Sequence, residues 1–222
     1  MKKVIVIGLI YFFVSSCVCG PDEKIGSTQL DENALSYLVY SKNKKLIFKN
    51  STGYEFILQS NDGLNFFRSW LIVKELCNNG MFNTQHQYIE GDYYSIVYSE
   101  PTLGQVIVFI LQNAIATTSD SYVLFDVVNI ECSYHGNFVG ILDLVISDNI
   151  EEIPLEYSSI YLRIPSFVSD TVLNGKVFQN VWWIKSEYFN PNTESTIFYS
   201  KEMGVIAFKY EDKDMLVLDR IE

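Results

Sequence analysis

Residues 167–185 decide the fold, and they read F-V-S-D-T-V-L-N-G-K-V-F-Q-N-V-W-W-I-K. Asn174 and Gly175 divide this stretch into two runs that are rich in valine, phenylalanine and tryptophan. Asn-Gly supplies the two residues with positive φ that a two-residue hairpin turn requires, and β-branched and aromatic residues favour strands. The stretch therefore predicts a β-hairpin.

Turn signals of the same kind recur along the rest of the chain. They include Ser-Thr-Gly at 51–53, Asn-Asp-Gly at 61–63, Asn-Asn-Gly at 78–80, and Gly204, which is placed for a left-handed bulge position. The short runs between such turns are rich in Val, Ile, Phe and Tyr, as is typical of strands. We therefore predict an all-β fold, an antiparallel meander of about ten strands that forms a strongly curved sheet or a partly closed barrel.

The amino terminus has the pattern of a bacterial lipoprotein signal peptide. Lys2 and Lys3 precede an apolar run over residues 4–14, which ends in Val14-Ser15-Ser16-Cys17. Eleven helical residues rise only about 16 Å, against a hydrocarbon core of about 30 Å, so the run fits a cleaved signal. The alternative is the first strand of a dinucleotide-binding fold, but no second glycine follows Gly8 as that motif requires.

This pattern predicts three parts: a signal peptide over residues 1–16, lipidated Cys17 with a flexible tether over 17–35, and one all-β domain over 36–222. By analogy with enteric lipoproteins, Val18 in place of Asp after the lipidated cysteine favours the outer membrane. The charged residues at 20–24 fit two interpretations. One is a surface-export signal, which would place the protein on the cell exterior, and the other is an ordinary polar tether.

The net negative charge of the chain restricts the classes of partner that it can bind. Residues 1–16 carry two of the 16 Lys+Arg and none of the 27 Asp+Glu, so the remainder has 14 against 27, a formal charge of −13. Such a charge repels phosphate backbones, which excludes nucleic acid as a partner. It also predicts that the lipid, rather than the protein surface, holds the domain to the membrane.

Three cysteines remain besides Cys17. A cell envelope permits disulfides, and we predict a bond between Cys77 and Cys132, which would leave Cys19 unpaired in the tether. On the chain-entropy model, closing a loop of this length stabilises the fold by about 4 kcal/mol.

Three segments resemble lipoproteins of gut Bacteroidota. They are K-L-I-F-K-N-S-T-G at 45–53, L-N-G-K-V-F-Q-N-V at 173–181, and I-F-Y-S-K-E-M-G-V-I-A-F at 197–208. Those lipoproteins combine a lipobox with F-x-N-S-x-G, N-G-K-x-[YF]-x-N-V and Y-[YF]-S-K-x-x-G-[IV] hairpins. The resemblance covers the signal and about a third of the remaining chain. It implies the fold and the lipid anchor but no activity, because its motifs are hairpin turns.

No pattern of residues commits the chain to a chemistry. Cys132 and His135 have a C-x-x-H spacing, but a zinc site needs a second close pair, and Cys77 and His86 are nine residues apart. Neither a G-x-S-x-G motif nor a calcium-loop spacing occurs. We therefore expect no catalytic residues, no metal and no cofactor.

Aromatic residues suggest binding instead. Trp182 and Trp183 adjoin on one predicted strand, so their rings face opposite sides of the sheet, and Tyr188 and Phe189 follow. These four are the predicted binding residues of a non-catalytic or structural module for an envelope protein or a glycan. The alternative is a carrier whose concave sheet holds an acyl chain or another apolar ligand. It is motivated by the all-apolar run at 106–111, which needs cover on both faces.

Overall fold

The fold is all-β, as predicted. The computed structural model describes residues 19–40, 44–60, 62–78, 84–100, 104–117, 121–134, 137–146, 165–186, 195–209 and 213–222. The strands are β1 (Glu23–Ser27), β2 (Lys45–Lys49), β3 (Glu55–Gln59), β4 (Asn65–Asn78), β5 (Thr84–Glu100), β6 (Gln105–Thr117), β7 (Tyr122–Tyr134), β8 (Asn137–Ile146), β9 (Ser166–Leu173), β10 (Lys176–Ser186), β11 (Ser195–Ser200), β12 (Gly204–Lys209) and β13 (Leu216–Ile221). One short helix, α1 (Glu32–Leu35), is also described.

The strands form a single sheet that curls into a half-barrel. Its order is β8-β7-β6-β5-β3-β2-β13-β12-β11-β10-β9, with β1 and β4 paired to β5 off this path. Thirteen strands among the described residues exceed the predicted ten or so, and β1 runs parallel to β5 instead of continuing an antiparallel meander. β8 approaches β10 and β11 across the concave face, which closes the core.

The hairpin turns have the predicted geometry. Asn174 and Gly175 have φ of 47° and 78°, and they join β9 to β10. Gly204 has φ of 78° and opens β12, next to a register shift in the pairing of β11 with β12. At the first hairpin, the Asn50 side chain accepts hydrogen bonds from the backbone N–H groups of Thr52 and Tyr54.

The predicted flexible tether is wrong for the described residues 19–35. Residues 23–27 form β1, and Leu30 and Ala34 lie in the hydrophobic core. Asp31 caps α1 by accepting a hydrogen bond from Ala34 N at 2.6 Å. The stretch lacks an apolar pattern because residues 23–27 are held mainly by backbone pairing with β5, and only Leu30 and Ala34 beyond them enter the core.

The all-apolar run at 106–111 is covered on its inner face by the chain itself. Ile107, Phe109 and Leu111 are buried in the core. The Tyr40 ring packs edge-on against Phe109, with centroids 4.8 Å apart. The packed core therefore covers the inner face of this run, and an acyl ligand is not needed to cover it.

Residues 28–40 cover the concave face of the sheet, and we call them the covering segment. Tyr40 also joins this segment to the sheet through its hydroxyl. The oxygen accepts a hydrogen bond from the buried backbone N–H of Val205. Burial raises the pKa of Tyr40 above its usual range, so the hydroxyl stays protonated. Gly204 lies so close to this ring that a Cβ there would overlap it.

We predict that Gly204→Ala destabilises the fold more than Gly53→Ala. Both glycines have φ near 80°, but no atom lies within 4 Å of a Cβ at Gly53. Gly53→Ala should therefore show only the left-handed strain of about 1–2 kcal/mol, whereas Gly204→Ala adds an overpacking cost of about 1–3 kcal/mol. Urea unfolding measures both free energies, and equal losses would contradict the role given to Tyr40. Tyr40→Phe should itself cost about 1–3 kcal/mol, because it leaves Val205 N–H buried without an acceptor.

Candidate functional site

The candidate site is a two-stranded ribbon. Among the described residues, it carries a group of three exposed aromatic side chains on one strand. β4 pairs antiparallel with the first part of β5, from Asn65 opposite Ser95 to Asn78 opposite Thr84. We call β4 and residues 84–95 of β5 the aromatic ribbon. The second part of β5 pairs with β6 and belongs to the half-barrel, so one long strand joins the ribbon to the core.

Three pairs of rings lie along the ribbon. Phe67 stacks on Tyr93 with centroids 4.2 Å apart, and Trp70 stacks on Tyr88 at 4.4 Å. The Phe66 and Tyr94 rings are tilted, at 4.7 Å. Cross-strand aromatic pairs of this kind stabilise antiparallel strands, and they hold each ring in place for a contact.

The β4 member of each pair is open to solvent. The exposed fractions are 53% for Phe66, 48% for Phe67 and 59% for Trp70. Successive strand residues point to opposite faces, so Phe66 and Phe67 present apolar surface on both sides of the ribbon. Large exposed apolar side chains that lie together are unusual on a protein surface, so these three rings define the candidate site.

The outer edge of β4 is a second unusual feature. Within the described part of the chain, β4 pairs with β5 and with no other strand. Its other edge therefore presents backbone N–H and C=O groups that can pair with a further strand. Fourteen residues make this edge long, and Arg68 and Lys74 interrupt its apolar side chains with charge.

Arg68, Asp92 and Glu90 on the ribbon are paired within the protein. Arg68 Nε lies 3.2 Å from Asp92 Oδ1, and its Nη1 donates to the Thr28 carbonyl at 3.2 Å. Lys24 on β1 pairs with Glu90. Because these charges already have partners, the aromatic rings rather than net charge give the ribbon its capacity for contact.

The predicted bond between Cys77 and Cys132 is wrong, because Cys77 pairs with Cys19. The Cα atoms of Cys19 and Cys77 are 5.8 Å apart. Cys77 lies opposite Gln85, whereas Cys132 lies at the level of Tyr98, thirteen residues along β5. Thirteen strand residues span about 43 Å, far beyond the Cα separation of about 7 Å that a disulfide tolerates. Cys132 is a free, buried thiol whose pKa is raised by burial.

The segment after Cys19 is fastened to the same end of the ribbon. Asp22 Oδ1 accepts a hydrogen bond from His86 N at 2.8 Å, and the His86 ring lies between Asp22 and Glu75. Gln87 Nε2 donates to Glu23 at 2.9 Å. His86 is thus one of a set of polar contacts that fix the first strand to the ribbon.

A small pocket of about 230 Å³ lies where the covering segment meets β7 and β8. Its lining residues are Thr28, Gln29, Asp31, Asn33, Leu124, Phe125, Asp126 and Ile146. Burial raises the pKa of Asp126, although a hydrogen bond from Asn113 Nδ2 at 2.6 Å partly offsets this. The polar lining does not suit an acyl chain. In the described residues, no group of three or more His, Cys, Asp and Glu side chains could hold a metal.

The predicted binding residues are not brought together as one exposed platform. Trp182 is half-buried on the inner face, between Tyr37 at 6.1 Å and Phe167 at 5.2 Å. Trp183 faces the other side and stacks on Phe198 at 6.4 Å. The two rings do face opposite sides, as the strand position predicts. Tyr188, Phe189, His135 and Cys17 lie outside the described residues.

Sequence reasoning missed the ribbon, although one signal for it was present. Residues 65–77 read N-F-F-R-S-W-L-I-V-K-E-L-C, with apolar residues in both the odd and the even positions. A strand with one solvated face alternates, so apolar residues in both positions predict cover on two faces. In the structure Leu71 is buried, whereas Phe66, Phe67 and Trp70 are exposed.

No described helix has the length and apolar character needed to cross a membrane. Comparison of the chain with protein-family models, curated proteins and solved structures gave no match.

We predict that mass spectrometry of non-reduced peptides will link Cys19 to Cys77 and find Cys132 as a free thiol. A peptide linking Cys77 to Cys132 would contradict the assignment. Replacing both cysteines (Cys19→Ser with Cys77→Ser) should lower the free energy of unfolding by about 4 kcal/mol, because the bond closes a loop across a sequence separation of 58. Cys132→Ser is the matched control for loss of a thiol outside the bond.

Proposed function

We propose that this protein is a lipid-anchored outer-membrane or cell-surface lipoprotein that acts as a non-catalytic module and binds a protein partner along the aromatic ribbon. The observation that carries the proposal is the exposure of Phe66, Phe67 and Trp70 on a strand whose outer edge has no partner strand among the described residues. Hydrophobic and aromatic anchors of this kind supply most of the binding energy in protein interfaces.

Two features favour a protein over a glycan. A sugar ring stacks on one aromatic face, whereas the ribbon presents Phe66 and Phe67 on opposite sides. A protein can cover both sides and also add a strand to the open edge of β4, which is a common way to recognise an exposed sheet edge. The paired state of Arg68 and Lys24 supports a contact made mainly through apolar surface.

The lipid anchor is the second part of the proposal and rests on Val14-Ser15-Ser16-Cys17. In that arrangement the thiol of Cys17 carries the lipid, and the acidic domain stays in solution next to the membrane. The short interval between Cys17 and the disulfide-bonded Cys19 is compatible with cleavage directly before Cys17.

We predict that Cys17→Ala abolishes lipid attachment and signal cleavage. The alanine has no thiol to accept the lipid, so mass spectrometry should find no acyl modification, and the signal over residues 1–16 should remain on the protein. Ser16→Ala is the matched control, because a small residue is kept before the cleavage site. A Cys17→Ala protein that is still cleaved at the same bond and still floats would refute the anchor.

We also predict position-specific crosslinking on the ribbon. A photoreactive phenylalanine analogue at position 70 should form a defined, protease-sensitive adduct in intact cells of the native host. The same analogue at Val177, which is 68% exposed on the β9–β10 hairpin, is the matched control and should not. Phe66→Asp should abolish the adduct, since a desolvated carboxylate disfavours an apolar contact.

Equal adducts at positions 70 and 177, or none at 70, would overturn the assignment of the binding surface. An adduct that resists protease and loses mass on treatment with glycosidase would replace the protein partner with a glycan. The fold should tolerate Phe66→Asp because the Phe66 side chain is half exposed, and circular dichroism of the purified variant checks this.

A further inference from the structure

The position of the disulfide constrains where the ribbon lies relative to the lipid. Cys19 is two residues after Cys17, and consecutive Cα atoms are 3.8 Å apart. With a further 5.8 Å between the Cα atoms of Cys19 and Cys77, the lipidated residue lies within about 13 Å of Cys77. Cys77 is the second-to-last residue of β4, at the end of the ribbon that points away from the half-barrel.

Other contacts keep the chain at this end. Gly20 passes so close to β5 that a Cβ there would lie 3.1 Å from Gln85 Oε1. Asp22 then accepts the hydrogen bond from His86 N, and Glu23 pairs with Gln87 as β1 begins. The described chain, which begins at Cys19, therefore enters the domain along the end of the ribbon.

We infer that the Cys19–Cys77 disulfide holds this end of the ribbon against the lipid headgroups of the membrane that carries the anchor. This inference rests on the proposed lipidation of Cys17. In this arrangement the lipid surface contacts the apolar side chains nearest that end. These are Ile72 and Leu76, which are 48% and 40% exposed. Trp70 and Tyr88 form the next ring pair along the ribbon.

Different parts of the ribbon then lie at different heights above the membrane. Trp70 lies opposite Glu90, five residues or about 17 Å of strand from Gln85. Phe66 and Phe67 lie further up, opposite Tyr94 and Tyr93. The end of the ribbon would thus contact lipid, while its upper ring pairs remain available to the protein partner.

Energy transfer from tryptophan to a lipid headgroup tests this geometry. The chain has three tryptophans, at 70, 182 and 183, so Trp182→Phe with Trp183→Phe leaves Trp70 as the only donor. The acylated full-length variant is reconstituted in phosphatidylcholine vesicles that contain dansyl-labelled phosphatidylethanolamine. We expect strong quenching of Trp70 with sensitised dansyl emission.

Trp70→Phe is the matched control, with Trp182 and Trp183 as donors. Trp182 packs against Tyr199, which stacks on Phe109, and Phe109 lies opposite Ile96. Ile96 is eleven residues, about 36 Å of strand, from Gln85. Transfer from this pair should therefore be weaker than transfer from Trp70.

A spacer variant tests the role of the short connection without touching the fold. Ten Gly-Ser residues inserted between Val18 and Cys19 add about 17 Å of flexible chain and keep the disulfide. Transfer from Trp70 should fall in this variant. It should also fall when Cys19→Ser and Cys77→Ser are combined, because Asp22 is then the first residue after Cys17 that a hydrogen bond fixes to the ribbon.

The outcomes separate the two proposals. If the purified protein does not float with the vesicles, the lipid anchor is refuted and this inference fails with it. If it floats but transfer from Trp70 is no greater than from the control, or is unchanged by the spacer, the anchor stands and the membrane-facing ribbon is refuted.

Discussion

An open, strongly curved sheet needs something to cover its concave face, and the rest of this structure depends on how residues 28–40 do so. Leu30, Ala34 and Tyr40 supply the buried side chains of this cover. Tyr40 matters most, because its ring contacts Tyr98 on β5 and Phe109 on the neighbouring strand β6. Its hydroxyl meanwhile satisfies the backbone of Val205 on the opposite arm of the half-barrel. One side chain thereby joins the two arms and the segment between them.

The sequence predicts the hairpins because their information is local. Asn174 and Gly175 adopt the positive φ values that the turn requires, and Gly204 does the same. Their residue types state a backbone conformation directly, without reference to distant parts of the chain. The same is true of the strand assignments, since β-branched and aromatic composition reflects packing on a pleated surface. Such local features are enough to predict an all-β fold from the sequence.

The features that sequence reasoning missed depend on distant contacts. Cys77 has three candidate partners, and only the strand order reveals that Cys132 is far along β5 whereas Cys19 is adjacent. Residues 23–27 lack an apolar pattern because a parallel pairing to β5, rather than side-chain burial, makes them a strand. Trp182 was expected to contribute to a binding platform, but the chain placed Tyr37 and Phe167 against it. Composition alone does not say which aromatic ring finds an internal partner.

The ribbon itself needs explaining, because a two-stranded hairpin in water is at best marginally stable. β1 adds a third strand along residues 87–90, which gives β5 partners on both of its edges. The disulfide then ties Cys19, on the β1 side, to Cys77 on β4, so that all three strands are joined at the end farthest from the core. This end has few buried side chains and cannot be stabilised by the hydrophobic core. A covalent bond therefore replaces packing at this end of the ribbon, while the exposed rings of Phe66, Phe67 and Trp70 lie nearer the half-barrel.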